Sequence, residues 1–342
     1  MKKILFVFAA VSALCACAKD IQPAAFEERP VTLNLNVAPA GTKAYVTENA
    51  DLALDKVQVM VFNNRGDLEA TTDYVSSNSQ LSLNVIPGTK TLWAVGNLPA
   101  KCTAVDLEEL LMNEYSLTNN TTTKLIMSDC QELTITQSGT IQFGLKRLAC
   151  KIVLEKIVRD FEEAAYEEIP LNVKKVYLSN VSNLSNLVAA AGVPSSFCVQ
   201  MGVIGNLNAA GKALLVDENL NTTLMDGDYD ATVHTFYAYP NGVTDDEFGG
   251  SSFEARRTRL IVECEYNGKT CYYPITLPGI KDGNRGVLER NKVYRITELT
   301  LKRPGSPYPD VPGEEVSSVQ SCSFTIQVEN WSTGHTYTET FS

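Results

Sequence analysis

From Val31 to Val37 the chain alternates: Val31, Leu33, Leu35 and Val37 fall on one face, Thr32, Asn34 and Asn36 on the other. Period two marks a strand with one buried face. The loop that follows, Pro39–Ala44, is made of small residues around Lys43, the composition at which proteases cut exposed chain. The same pattern returns near the other end, where Cys322, Phe324, Ile326 and Val328 alternate with Ser323, Thr325, Gln327 and Glu329, ahead of Trp331. Burying four such side chains is worth about 6–12 kcal/mol as an upper bound, before ordering costs. Either strand suits the same kind of groove, and a strand lent to a neighbouring molecule would extend its sheet.

Between these ends most segments alternate or run apolar between turn residues: Lys56–Asn63, Ser82–Gly88, Lys90–Leu98, Leu133–Leu145, Ala149–Val158, Val173–Val181, His234–Pro240, Thr258–Leu277 and Asn291–Leu301. One amphipathic helix is predicted after Asp106, its N-cap, confined to about Asp106–Met112. Short strands at intervals of about ten residues predict an all-β chain of antiparallel β-sandwiches with short connecting helices. A boundary near Lys146–Cys150 divides it into domains 31–146 and 147–342. Arg303–Gln320 carries four prolines in eighteen residues and reads as an extended, unpaired tether to a tail spanning about 303–342.

The first residues change the compartment. Two lysines followed by the apolar run Ile4–Ala16 form a secretory signal too short to span a membrane permanently, so 1–16 is read as a lipoprotein signal peptide. Leu14-Cys15-Ala16-Cys17 is similar to a bacterial lipobox with Cys17 as the acylated residue, followed by a tether over 17–30. Acyl chains there would anchor the chain to an outer membrane, at about 0.8 kcal/mol per buried methylene. Removing 1–16 takes away Lys2 and Lys3 and no acid, so the formal net charge falls by two from −11. That balance disfavours nucleic acid and anionic lipid surfaces as partners.

Chemistry is sparse. With two histidines and no CxxC pair, no metal ligand set, catalytic residue or cofactor is implied, and the chain is not read as an enzyme. Gly205–Ala213 lacks the glycine spacing and the Ser or Thr of a phosphate loop. Asp226, Asp228 and Asp230 lack the glycine and glutamate that complete a calcium loop. Trp93 and Trp331 read as core residues. Asn267-Gly268 is the preferred dipeptide of a tight hairpin and sets Cys264 opposite Cys271, either as a disulfide or as two buried thiols.

With these motifs in place, the chain resembles the fimbrillins of the Bacteroidia-type (type V) pilus, the FimA-like fimbrial subunits. The resemblance rests on the lipobox, on Val31–Val46, on Leu54–Ala70, on Leu145–Glu155, on Leu288–Leu301 and on the terminal Val328–Trp331. It implies two transthyretin-like sandwiches, export as a lipoprotein, proteolytic removal of the first strand (31–39), and polymerisation by insertion of the tail into the vacated groove, with donor residues Cys322, Phe324, Ile326, Val328 and Trp331 and with His335–Phe341 as the other candidate strand. The best-known system is cut after arginine; the aligned bond here is Lys43–Ala44, and Arg29 precedes a proline. Implied partners are other fimbrial subunits, anchor and tip proteins, a processing protease, the outer membrane, and a host or bacterial surface ligand. The alternatives are a non-cleaved anchor or accessory subunit, and a monomeric surface lipoprotein that binds glycans or host ligands.

Overall fold

The computed structural model describes residues 29–40, 53–205, 207–244, 256–281, 284–310, 321–331 and 339–341. Cys17, Lys43 and Ala44 lie outside the described residues.

The first unit contains β1 (Val31–Pro39), β2 (Lys56–Phe62), β3 (Leu68–Thr71), β4 (Val75–Ser76), β5 (Leu81–Val85), β6 (Gly88–Gly96), α1 (Leu107–Met112), β7 (Glu114–Ser116), β8 (Met127–Ile135) and β9 (Gly139–Arg147). Asp106 caps α1 by accepting from the Glu109 amide, as the sequence predicts. One layer runs β3-β2-β6-β8 and the other β9-β1-β5. They join where β9 leaves its partner β1 and its last residues, Lys146 and Arg147, pair with β8. Leu33, Leu35, Leu81, Val85, Ile141 and Phe143 from the β9-β1-β5 layer close on Val57, Val59, Val61, Leu92 and Ala94 from the other. Sandwich geometry follows from alternation, since each strand offers only one side-chain face to the interior.

Strand β2 departs from simple alternation, because Val57 through Phe62 are all buried. Its second face, with Trp93 and Val95 of β6, packs on the segment from Leu98 to Ile126 and on a cluster continuous with the second unit. The boundary near Lys146–Cys150 is thus a change of sheet between β9 and β10, crossed by an unbroken apolar core.

The second unit contains β10 (Cys150–Leu154), β11 (Ile157–Arg159), α2 (Ala164–Glu167), β12 (Leu171–Ser179), β13 (Leu184–Asn186), α3 (Ala209–Leu215), β14 (Val216–Leu224), β15 (Tyr229–Asp230), β16 (His234–Ala238), β17 (Arg259–Tyr266), β18 (Lys269–Thr276), β19 (Ile280–Lys281), β20 (Asn284–Arg285), β21 (Lys292–Leu301), β22 (Cys322–Asn330) and β23 (Glu339–Phe341). One sheet is β14-β12-β17-β18. In the other, β10 and β11 lie along one edge of β21 and β22 lies along the opposite edge, with β23 outside it. Most pairings are antiparallel; β1–β9, β10–β21 and β11–β21 are parallel. Period two does not distinguish parallel from antiparallel neighbours, so the sequence alone could not show these.

Arg290 rivets the units. Its guanidinium donates to the carbonyls of Ser128, Lys146, Arg147, Leu187 and Val188 and to the Ser128 hydroxyl, at 2.6–3.2 Å. Burial lowers its pKa to about 10. Asn291 beside it accepts from the Arg147 amide at 3.2 Å and from its guanidinium at 3.3 Å.

The proline-rich stretch corrects the sequence reading where it is described. Arg303–Asp310 is not an unpaired tether but a docked strap. Tyr272 and Ser306 exchange two backbone hydrogen bonds of 2.8 Å, capping the edge of β18. Gly305 fits there because a Cβ would lie 2.4 Å from the Tyr272 carbonyl oxygen. Asp310 is buried, paired with Arg259 and 2.9 Å from the Asn180 amide nitrogen. Prolines cannot donate to a ladder, yet a buried carboxylate and one two-bond bridge suffice to fix the segment. Residues 311–320 lie outside the described residues.

Candidate functional site

Strand β1 sits between two neighbours, antiparallel to β5 (Val31 opposite Val85, Leu35 opposite Leu81) and parallel to β9 (Leu33 opposite Gly139, Pro39 opposite Leu145). Leu33 and Leu35 are buried at 1% and 5% exposure, while Val31 and Val37 are half-buried and Thr32, Asn34 and Asn36 face water. The strand therefore fills a groove whose floor is the opposite layer and whose walls are β5 and β9. Beyond the ladders the described ties are slight: the Thr32 amide donates to the Ser138 hydroxyl at 3.0 Å, its hydroxyl to Asn84 at 2.8 Å, and the Ala40 amide to the Leu145 carbonyl at 2.8 Å. A strand held by backbone pairing and four apolar side chains can be replaced by any strand of the same period.

The tail strand β22 lies elsewhere. Its inward residues are the expected ones: Cys322, Ile326 and Val328 are buried and Phe324 is half-buried against the core. They face the interior of their own unit, however, with β22 enclosed by β21 and β23. Trp331 closes this strand: it stacks on Tyr237 with ring centres 5.9 Å apart, and the Arg147 guanidinium lies 4.2 Å over its ring. The structure does not bring β1 and β22 together in one sheet. Of the other tail segment, His335–Phe341, only 339–341 are described, as β23.

The hairpin register sets Cys264 opposite Cys271, yet both thiols are free. The closing pair of a two-residue hairpin, Tyr266 with Lys269, is hydrogen-bonded, and alternation makes Cys264–Cys271 hydrogen-bonded too. At such pairs the Cβ atoms stand near the wide end of about 4.5–5.5 Å, beyond the 3.8 Å a disulfide favours. Burial pushes both thiols above the usual range.

Other residues singled out in the sequence take structural places. Asp228 accepts from the Met225 amide and Asp230 from the Thr232 amide, each within a turn, while Asp226 accepts from the distant Phe161 amide, so all three carboxylates are taken up structurally. Among the described residues no group of three or more His, Cys, Asp or Glu is placed to hold a metal. Asn208 caps α3 by accepting from the Gly211 amide, which ends the likeness to a phosphate loop. Trp93 is buried. Sequence reasoning missed the docked strap and the Arg290 rivet; the one signal for the strap was an aspartate among prolines.

Several sheets with few short helices, and a first strand lodged between an antiparallel and a parallel neighbour, define a mostly β class of fold. No protein-family model matches the sequence, and no curated protein matches it. Solved structures do. A protein from Bacteroides eggerthii assigned to cell adhesion superposes with a TM-score of 0.63 at 19% identity, over 89% of this chain and 96% of that one. A fimbrilin (FimA) from Porphyromonas gingivalis W83 gives 0.62 at 18% identity, over 90% and 99%. The tip fimbrial protein Mfa3 of Porphyromonas gingivalis, with a C-terminal truncation, gives 0.54 at 16% identity, over 88% and 100%. The chain has the fold of these fimbrial and adhesion proteins along about nine-tenths of its length.

Proposed function

We propose that this chain is a structural subunit of a cell-surface fimbria of the type V class, built from two transthyretin-like sandwiches. It is exported as a lipoprotein acylated on Cys17, held at the outer membrane, and assembled with like subunits and with anchor and tip proteins to support adhesion. A protease cuts between Lys43 and Ala44; β1 then leaves with the lipid anchor, and the tail of another subunit enters the groove. The observation that carries this reading is the seat of β1: a core strand between two neighbours with a water-facing polar face. Its departure exposes Leu81, Val85, Ile141 and Phe143, a surface that must be refilled. The likeness in fold to FimA and Mfa3 points the same way. Cys322–Val328 is the matching donor because its four inward positions repeat those of β1, whereas Glu339 would interrupt that face in His335–Phe341. Transfer of β22 exchanges one buried site for another, so little apolar burial is lost. Once cut, the plug loses the effective concentration that kept it in place.

The test is processing and polymer formation in the full chain. Lys43→Ala should leave lipidated, unpolymerised subunits, while the parent chain treated with a lysine-specific protease should give heat-labile ladders on an unboiled gel. A photo-crosslinking residue in place of Phe324 should link to β5 or β9 of a second molecule. Ladders from Lys43→Ala, or links confined to one chain, would overturn the strand-exchange reading. A second reading, an accessory or monomeric subunit that keeps β1, is favoured by the enclosure of β22 in its own sheet. It predicts one trimmed band and no ladder.

A further inference from the structure

The strap and the turn beneath it form a face that the fold holds rigid and leaves bare. The turn Gln200–Val203 is fastened from behind: the Met201 amide donates to the Asn180 side chain at 2.9 Å, the Gly202 amide to the Ser179 hydroxyl at 2.8 Å, and the Val203 amide to the Gln200 carbonyl at 3.0 Å. The Tyr177 hydroxyl donates to the Gly202 carbonyl at 3.2 Å. Gly202 lies so close to Pro309 that a Cβ would come within 2.5 Å of the proline ring. Met201 is held at a φ of +51°, a conformation that costs a methionine energy. All this ordering presents apolar side chains to water: Met201 is 43% exposed, Val203 67%, and Tyr308 on the strap 65%. No Asp, Glu, Lys or Arg occurs between Lys175 and Lys212, in a chain with 40 acidic and 29 basic residues.

We propose that Met201, Val203 and Tyr308 are the seat for the acceptor subunit, a second copy of this chain, once it has taken up the tail; this rests on the strand-exchange reading above. The location argues for that occupant. The strap is pinned by Asp310 to Arg259 and Asn180, so it stays docked when the tail leaves. The chain from Asp310 to Ser321 spans at most about 40 Å, which keeps the acceptor beside this face. Cutting after Lys43 removes five basic and three acidic residues, so each processed copy carries −13; such copies repel each other elsewhere, and an apolar face drawn from a stretch without charged residues is where they can touch. A tail that copies the direction of β1 begins at the end where Val31 faces Val85, and there the acceptor offers Ile86, itself 40% exposed. Strand insertion supplies the affinity, and this second, linked contact fixes the angle between subunits.

Met201→Glu with Val203→Asp, and separately Ile86→Asp, test the seat in full-length processed chains. Both replace exposed side chains, so melting should match the parent. Ladder formation should slow about tenfold in each, since one of two linked contacts is lost. The photo-crosslinker at position 324 serves as the control. If the intermolecular link forms and both variants assemble at the parental rate, the seat is wrong and strand exchange stands. If the link is absent in the parent chain, strand exchange fails and the seat falls with it.

Discussion

β1 and β10 occupy equivalent positions in the two units. Each is the first strand of its unit, with an antiparallel neighbour on one side (β5 or β16) and a parallel one on the other (β9 or β21). Their side chains differ. On β1, Thr32, Asn34 and Asn36 meet water, whereas on β10 Ile152, Val153 and Leu154 are all buried and Lys151 is half-buried. A strand with one wet face can leave without stripping a second core. A strand packed on both faces cannot. Topology alone therefore does not make a strand exchangeable; the polarity of its outer face does.

Placing a charge on the inward face of each strand is the hardest test of this contrast. Ile152→Asp buries a carboxylate in a core closed on both sides and should destabilise the chain by about 5 kcal/mol, enough to leave only aggregate. Leu33→Asp should expel β1 while the rest stays folded, seen as protease sensitivity confined to the first strand and a small fall in melting temperature. Equal loss of soluble protein from both would break the comparison.

The rivet between the units comes next. Arg290→Met removes a guanidinium that satisfies five carbonyls and should cost about 3 kcal/mol, by analogy with other buried charge-assisted bonds. Unfolding in urea should then split into two transitions, where the parent chain should show one. A single transition in the variant would mean that the shared apolar core, not Arg290, couples the units.

Much of this was legible in the sequence. Alternation over Val31–Val37 and Cys322–Val328 gave both the strands and the inward faces, because period two follows from the pleat itself. Asn267-Gly268 set the hairpin register correctly. The partners of those strands were not legible: that β22 is enclosed by β21 and β23, and that β1 has a parallel neighbour, are long-range facts that a local period does not carry. The strap was misread because a proline-rich composition suggests free chain; the aspartate among its prolines hints at a partner, but not at which one, since Arg259 lies 51 positions away.

A smaller effect should separate the tail from its resting place. Trp331→Ala removes a ring stacked on Tyr237 and covered by Arg147, at a cost of about 2 kcal/mol for a half-buried tryptophan. The loss should fall on β22, so hydrogen exchange should quicken there and leave β1 unchanged. Uniform quickening would show that the tail and the plug open as one unit.

The finest test of the contrast is pH. β1 carries no titratable side chain, whereas β10 begins with Cys150, whose thiol donates to the Ala238 carbonyl at 3.3 Å and is pushed by burial up to about 12. The folded state therefore holds this proton more tightly than the unfolded chain, where a thiol titrates near 8.5. Stability from that difference is fully present below about pH 8.5 and is lost as the pH rises toward 12, by about 1.4 kcal/mol per unit. The second unit also holds Cys322, pushed to about 12, and Cys264, raised well above the usual value. Between pH 8.5 and 10 the second unit should weaken measurably in urea melts, while protection of β1 from proteolysis changes little. Cys150→Ala should lower the slope of stability against pH by one thiol's share. An unchanged slope in that variant would show that β10 is no more sensitive to its buried chemistry than β1.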